Sequence, residues 1–195
     1  MKALITKRHT LCFVAFSLIL VFSVGNSLAQ QRYKIGGKFE FDVSTREHER
    51  IDVGDRKGHW LEWNRIMGTN KSTGADKFMD GAQLDLMGLS DTVMGNGKHW
   101  GYLKMSLEGV SVYIKFEGDI LTTIASEGSS SAGSPSITYE STYTDTFTII
   151  SGTGKYKDIQ GAGFIRGEVT VKVEKGKLAS RTAFVEWKGS YFIKK

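Results

Sequence analysis

Apolar and polar residues alternate with a period of two over most of the chain from Tyr33 onward. In the first such segment one face is apolar or small and the other is charged; the apolar face consists of Tyr33, Ile35, Gly37, Phe39, Phe41 and Val43. The alternation is clearest over residues 110–120, and it returns in several later segments. A period of two is typical of β-strands with one buried face, so the pattern predicts an all-β protein.

The pattern predicts eight strands. They are expected at residues 33–43, 59–67, 83–94, 98–107, 110–120, 142–150, 164–174 and 178–193. Asn96-Gly97 and Lys175-Gly176 are predicted hairpin turns, because Asn-Gly favours the type I′ turn, and residues 68–74 and 126–136 are predicted polar loops. Eight antiparallel strands can close and leave no exposed edge. We therefore predict an eight-stranded antiparallel closed barrel, with a two-sheet sandwich as the alternative.

The N-terminus has the three parts of a secretory signal peptide. Lys2, Lys7 and Arg8 precede an uncharged apolar stretch at residues 11–25, and the small residues Ser27 and Ala29 follow it. That apolar stretch is shorter than the ~20 residues needed to cross a bilayer, which disfavours an uncleaved anchor helix. We predict a signal peptide at residues 1–29 and a single β-barrel domain at residues 30–195, secreted or periplasmic and not membrane-spanning after cleavage.

Removal of this segment changes the charge and the cysteine content. The whole chain has a formal net charge of +5 at pH 7, but three basic and no acidic residues lie in residues 1–29, which leaves +2. With so small a charge and no Lys/Arg cluster, nucleic acid is not an expected partner. The single cysteine, Cys12, lies within the predicted signal peptide, so the domain has no disulfide, thiol nucleophile or thiolate ligand.

Motifs for cofactor chemistry are missing from the sequence. The histidines of the predicted domain, His48, His59 and His99, lack the short spacings that place metal ligands on one side of an element. No Walker loop, dinucleotide fingerprint or Gly-x-Ser-x-Gly elbow occurs. We predict neither a metal nor another cofactor.

Glu62 is the candidate catalytic residue. It lies between Trp60 and Asn64 on one face of the second predicted strand, where a carboxylate facing a lumen could act as a general acid or base. Alternatively, this face is simply the solvent side, and Trp60 is equally compatible with an oligomer surface. The candidate ligand-binding residues are Trp60, Trp63, Tyr102 and Trp187. Aromatic residues make up 11% of the chain and can supply an apolar pocket.

A glycine-rich segment late in the chain carries a family resemblance. Residues 149–164 read IISGTGKYKDIQGAGF, in which two Gly-x-Gly pairs permit tight turns, and Tyr156 and Ile159 can cover one end of a barrel. The segment resembles a motif of the allene oxide cyclase-like barrel superfamily, which includes dirigent proteins and exported bacterial families.

The resemblance implies an apolar lumen, open at one end, that binds a small lipophilic molecule, often in a trimer. In some members the barrel also steers a cyclisation. The catalytic residues of the family lie outside the shared motif, so the resemblance assigns none here. Three functions follow as hypotheses: a binder of an apolar small molecule, an isomerase or cyclase acting on a lipophilic substrate, and a structural or partner-binding module.

Overall fold

Eight strands form a closed antiparallel barrel in the computed structural model, which describes residues 30–129 and 135–194. The strands are β1 (Tyr33–Asp52), β2 (His59–Ser72), β3 (Gln83–Val93), β4 (Asn96–Leu107), β5 (Val110–Ser129), β6 (Pro135–Gly152), β7 (Ile159–Glu174) and β8 (Lys177–Ile193). A 3-10 helix, Gly154–Tyr156, follows β6. Each strand pairs with the next along the chain, and β8 pairs with β1. The predicted barrel is confirmed, and the closing pair excludes an open sandwich.

Several strands are longer than the sequence pattern predicts. The predicted loop at residues 126–136 is largely strand, because β5 and β6 remain paired out to Ser129 and Pro135. Residues 130–134 and the predicted signal peptide at residues 1–29 lie outside the described residues. Export and cleavage therefore remain predictions.

The hairpin between β3 and β4 exists, but its turn lies two residues before the predicted one. Val93 pairs with Asn96, so Met94 and Gly95 form the turn, with φ of 52° and 79°. The side chain of Asn96 serves another purpose: its amide nitrogen donates to the Met94 carbonyl at 3.1 Å, and its oxygen accepts from the Thr122 amide at 2.9 Å. The second predicted turn, Lys175-Gly176, is confirmed, with φ of 52° and 74°.

One end of the barrel is closed by residues 73–82, which we call the plug segment. Phe78, Met79 and Ala82 of this segment are buried. The Phe78 ring lies 4.6 Å from that of Tyr191 and 5.2 Å from that of Tyr156. Tyr156 and Ile159 are buried here as expected, so aromatic and aliphatic side chains make up most of the packing at this plugged end.

Asn70 holds the plug segment in place, and it lies in the predicted loop at residues 68–74, of which residues 68–72 instead belong to β2 and pair with β1. Its side chain is fully buried, and its amide nitrogen donates to the carbonyls of Phe78 at 3.0 Å and Met79 at 2.8 Å. Its oxygen accepts from the indole nitrogen of Trp187 at 3.1 Å. Asn70, which the sequence pattern placed in a loop, thus links the plug segment to Trp187 at the plugged end.

The opposite end carries the β1–β2, β3–β4 and β7–β8 turns, and we call it the turn end. No plug covers it in the described part of the chain. Within the same residues, no helix is long and apolar enough to cross a membrane.

Candidate functional site in the barrel lumen

A cavity of about 310 Å³ occupies the lumen between the plugged end and the turn end, and it is partly open to solvent. Its apolar lining is Phe39, Phe41, Val43, Ile66, Leu86, Leu89, Leu103, Phe116, Ile120, Ile165, Val169, Val171, Ala183 and Val185. Its polar lining is Arg46, Glu62, Asn64, Ser90, Thr92, His99, Thr122, Ser141, Tyr143, Asp145 and Arg181. This volume lies at the lower limit of pockets that bind small molecules, roughly 300–1,000 Å³.

His99 and Asp145 form a hydrogen-bonded pair in the cavity wall. The Nε2 atom of His99 bonds the Oδ1 atom of Asp145, although the two residues lie on strands that are not adjacent, β4 and β6. Gly118 of β5 lies between them in the register, paired with both. A side chain at Gly118 would place its Cβ 2.2 Å from Asp145 Oδ1. The glycine therefore opens the space across which the pair forms.

Asp145 is unusual because a carboxyl group is almost completely buried, with 1% of the residue exposed. Burial raises the pKa of Asp145, and the hydrogen bond and charge of His99 oppose that shift only in part. A carboxyl with a raised pKa beside an imidazole is a pair that can exchange a proton with a bound molecule.

The ring of Tyr143 extends the polar wall next to this pair. It lies edge-on to the His99 ring, with 5.1 Å between ring centroids. Its space comes from Gly167, the cross-strand partner of Tyr143 on β7, since a Cβ at Gly167 would overlap the phenol ring at 1.9 Å. Burial and the nearby charge of Asp145 both raise the pKa of Tyr143, so its hydroxyl is a proton donor at neutral pH.

Glu62 lines the cavity, and it is bound to a cation that the sequence analysis did not identify. The guanidinium of Arg46 donates to Glu62 Oε1. Arg46 reaches the lumen because the register of β1 shifts between Asp42 and Glu47. Such a bulge moves the following side chains to the other face of the strand. The solvent-side alternative for Glu62 is thereby excluded, whereas a catalytic role remains a prediction.

Arg181, on β8, is the second guanidinium of the cavity. No carboxylate of the described residues forms an ion pair with it. Burial lowers the pKa of Arg181, and the like charge of Arg46 lowers it further, while the opposite charge of Glu62 acts in the other direction. The cavity thus holds a cation whose charged form is disfavoured by its surroundings.

Further polar groups of the lining make no hydrogen bond to the described residues, among them the Tyr143 hydroxyl, the Asn64 amide and the Nδ1 atom of His99. In the same residues no side-chain nitrogen or oxygen is both buried and without a partner. These groups therefore face open space, and their hydrogen-bonding capacity is available to a molecule in the cavity.

The four aromatic residues predicted as ligand contacts do not line this cavity. Trp187 is 1% exposed and belongs to the core of the plugged end, where its indole donates to Asn70. Tyr102 is 55% exposed, and Trp60 packs under the guanidinium of Arg50 at 3.7 Å. Trp63 lies one residue from Glu62, and therefore on the other face of β2. Only Glu62 among the predicted site residues lies in the lumen, and ligand binding by the other four remains a prediction.

The histidines have different surroundings. His59 lies at the turn end, where its ring nitrogens bond Asp55 and Asp91, the latter at 2.7 Å. Both hydrogen bonds raise the pKa of His59, and the bond with Asp91 has the larger effect.

Within residues 30–129 and 135–194, no three His, Cys, Asp or Glu side chains are grouped so as to hold a metal ion.

Apart from Glu62, the sequence analysis did not identify the polar residues of the cavity wall. Asp145 lies in an alternating run of threonines and looks like a solvent-facing residue, and Tyr143 lies in the same run. The alternation along β6 could have identified Asp145 as an inward-facing residue. It lies two and four residues before the apolar Phe147 and Ile149, and therefore on the same face of the strand.

In comparisons with known proteins, the chain matches no protein-family model and none of the curated proteins.

Proposed function

We propose that this barrel binds a small, predominantly apolar molecule in its lumen. The observation that supports the proposal best is the cavity of about 310 Å³, which has an apolar floor beside the plugged end and a wall of both apolar and polar groups toward the turn end. Phe39, Leu103 and Phe116 belong to the floor and are buried in the core. An enclosed apolar surface with a few polar groups is the usual form of a small-molecule site.

Two further parts of the proposal come from the sequence. The N-terminal pattern supports export, so that the barrel would act in a secreted or periplasmic setting. The segment at residues 149–164 supports kinship with the allene oxide cyclase-like barrels and, with it, a homo-oligomer such as a trimer. An eight-stranded barrel alone does not identify that superfamily, because many unrelated functions share one fold.

A second candidate function is that of an isomerase or cyclase acting on a lipophilic substrate. The observation that favours it is the placement of His99, Asp145 and Glu62 in the wall of one cavity. Proton transfer needs an acid and a base within reach of the same substrate, and this wall offers both. In this alternative the apolar lining would hold the substrate in a reactive conformation.

Blocking the lumen tests the binding proposal. Gly88 lines the cavity, and a Cβ there would make ordinary contacts, 3.5 Å from Asn64 Nδ2 and 3.6 Å from Phe116 Cζ. Gly88→Phe should therefore fill the lumen with little strain at the backbone. Met87, its neighbour on β3, is 47% exposed on the outer face, and Met87→Phe is the matched control.

The probe is N-phenyl-1-naphthylamine, a neutral molecule whose fluorescence rises in apolar surroundings. We expect the wild type and Met87→Phe to bind it and Gly88→Phe to lose most of the binding, with the fold of each checked by circular dichroism. Equal binding by all three would mean that the probe occupies the outer surface, and it would contradict the proposal. Absence of binding in all three would favour the structural or partner-binding module.

The enzyme alternative needs a separate measurement. Any lipophilic compound released from the purified protein on denaturation would be returned to the protein in deuterated water, with Asp145→Asn and Glu62→Gln as variants. An isomerase would place deuterium in the compound or change its structure, and a variant of the group responsible would stop this. A pure binding protein would return the compound unchanged.

A further inference from the structure

The two guanidiniums of the cavity are in unequal situations. Arg46 has a carboxylate partner, since it donates to Glu62 Oε1. The Arg181 guanidinium lines the same cavity with no carboxylate close enough to pair with it in the described structure. Glu62 thus pairs directly with Arg46 and acts on Arg181 only through its nearby charge, so two guanidiniums share one carboxylate.

An unpaired guanidinium in a mostly apolar cavity is unfavourable in the absence of an anion. Removing a charge from water costs free energy unless a partner of opposite sign is supplied. Burial and the like charge of Arg46 both act against the charged form of Arg181, as its lowered pKa indicates. An anion in the cavity would remove this cost, and a guanidinium binds a carboxylate with two parallel hydrogen bonds.

The arrangement of the lining also gives the orientation of such a ligand. Arg181 lies four residues from the first residue of β8, Lys177, and hence toward the turn end. The buried side chains of Phe39 and Leu103 lie deeper, beside the core of the plugged end. Tyr143 and Asn64 offer a hydroxyl and an amide in the same cavity.

We propose that the molecule bound in the lumen is a carboxylic acid with an apolar body, and that Arg181 binds its carboxylate. The apolar body lies against the floor, and the carboxylate points toward the turn end. This proposal rests on the proposed binding function and adds the chemical class of the ligand. It assigns Arg181 to ligand binding and leaves Arg46 as the partner of Glu62.

The test compares probes that differ only in their head group. Decanoate and 1-decanol have the same chain, and their affinities for the purified full-length protein are measured by isothermal titration calorimetry after removal of any co-purified lipophile. We expect decanoate to bind at least about tenfold more tightly than 1-decanol. This factor corresponds to the lower end of the free energy that a hydrogen bond to a charged group contributes.

Variants of Arg181 identify the group responsible for this preference. Arg181→Met should abolish the preference while leaving the affinity for decanol nearly unchanged, and Arg181→Lys, which keeps the charge without the planar fork, should retain part of it. The matched control is Arg166→Met, because Arg166 is exposed on the barrel surface, where it pairs with Glu168 at 2.9 Å. This control should behave as the wild type.

The outcomes separate the two proposals. Equal affinities of decanoate and decanol in the wild type, or a preference that survives in Arg181→Met, would overturn the carboxylate assignment and leave lumen binding intact. If neither probe binds, both proposals fail. A preference lost equally in Arg166→Met would indicate general surface attraction and would also overturn the assignment.

Discussion

Replacement of Asn70 by alanine should destabilise the protein far more than the loss of a single surface amide. The Asn70 side chain is fully buried and forms three hydrogen bonds, two to carbonyls of the plug segment and one from Trp187. Asn70→Ala removes all three at once. The partners stay buried, because the Phe78 ring and the Trp187 indole continue to fill the plugged end.

The expected magnitude follows from the groups left without partners. The Met79 carbonyl keeps a second donor, the Ala82 amide at 3.1 Å. The Trp187 indole nitrogen and the Phe78 carbonyl keep none in the described structure. Each buried polar group without a partner costs about 1–3 kcal/mol, so Asn70→Ala should lower the free energy of unfolding by about 2–6 kcal/mol. Typical total stabilities are only about 5–15 kcal/mol.

The assay is equilibrium unfolding in urea followed by circular dichroism, with Asn96→Ala as the matched control. Asn96 also makes two side-chain hydrogen bonds, but it is only partly buried at the β3–β4 turn. Water can replace those bonds, so Asn96→Ala should cost about 1 kcal/mol or less.

A double-mutant cycle isolates the bond to the indole. With Trp187→Phe the indole donor is gone, so the further loss of Asn70 should cost less by about 1–3 kcal/mol than it does in the wild type. If Asn70→Ala costs no more than Asn96→Ala, or if the two changes at Asn70 and Trp187 are additive, the reasoning is wrong and the plug segment is held by its apolar contacts alone.

Two further predictions concern the cavity wall. Burial raises the pKa of Asp145, so the stability linked to its proton is fully present below the unfolded pKa of about 3.9 and is lost as the pH rises through the folded pKa. Melting temperatures of the wild type should therefore fall relative to those of Asp145→Asn as the pH rises above about 4, and a constant or opposite difference would contradict the shift. Gly118→Ala places a Cβ 2.2 Å from Asp145 Oδ1 and should cost about 2–3 kcal/mol in urea unfolding, whereas Gly88→Ala should change stability by about 1 kcal/mol or less. Equal effects of the two alanines would refute the spacing argument.

The barrel could be predicted from the sequence because the alternation of apolar and polar residues within each strand is a local pattern. Period-two alternation in strands such as β5 reports which side chains face inward, and eight such strands need only pair in order to close. The turn between β3 and β4 was misplaced because Asn96-Gly97 has the stronger intrinsic preference. In the structure Asn96 is held by a bond to Thr122 of another strand, which no local rule includes.

The candidate site could be predicted only in part, because it depends on contacts between strands distant in sequence. Glu62 was identified from its own strand, but its partner Arg46 enters the lumen only through a bulge in β1. The pair of His99 and Asp145 requires the register of three strands and a glycine at position 118. The aromatic residues predicted as ligand contacts lie outside this cavity, since Trp187 belongs to the core of the plugged end and Tyr102 is exposed. Aromatic residues are used for both purposes in proteins.

The polar wall of the cavity is not needed to fill the interior of this barrel. At the plugged end the same barrel is filled by Phe78, Tyr156 and Trp187, so the fold does not require charged groups in its interior. Replacement of a buried charge by an apolar side chain of similar size is often neutral or stabilising. If Arg181 serves binding and not folding, Arg181→Met should melt at or above the wild-type temperature while it loses the preference for decanoate. A clear drop in the melting temperature, measured by calorimetry without ligand, would show that the guanidinium supports the fold and would remove the reason for assigning it to a ligand.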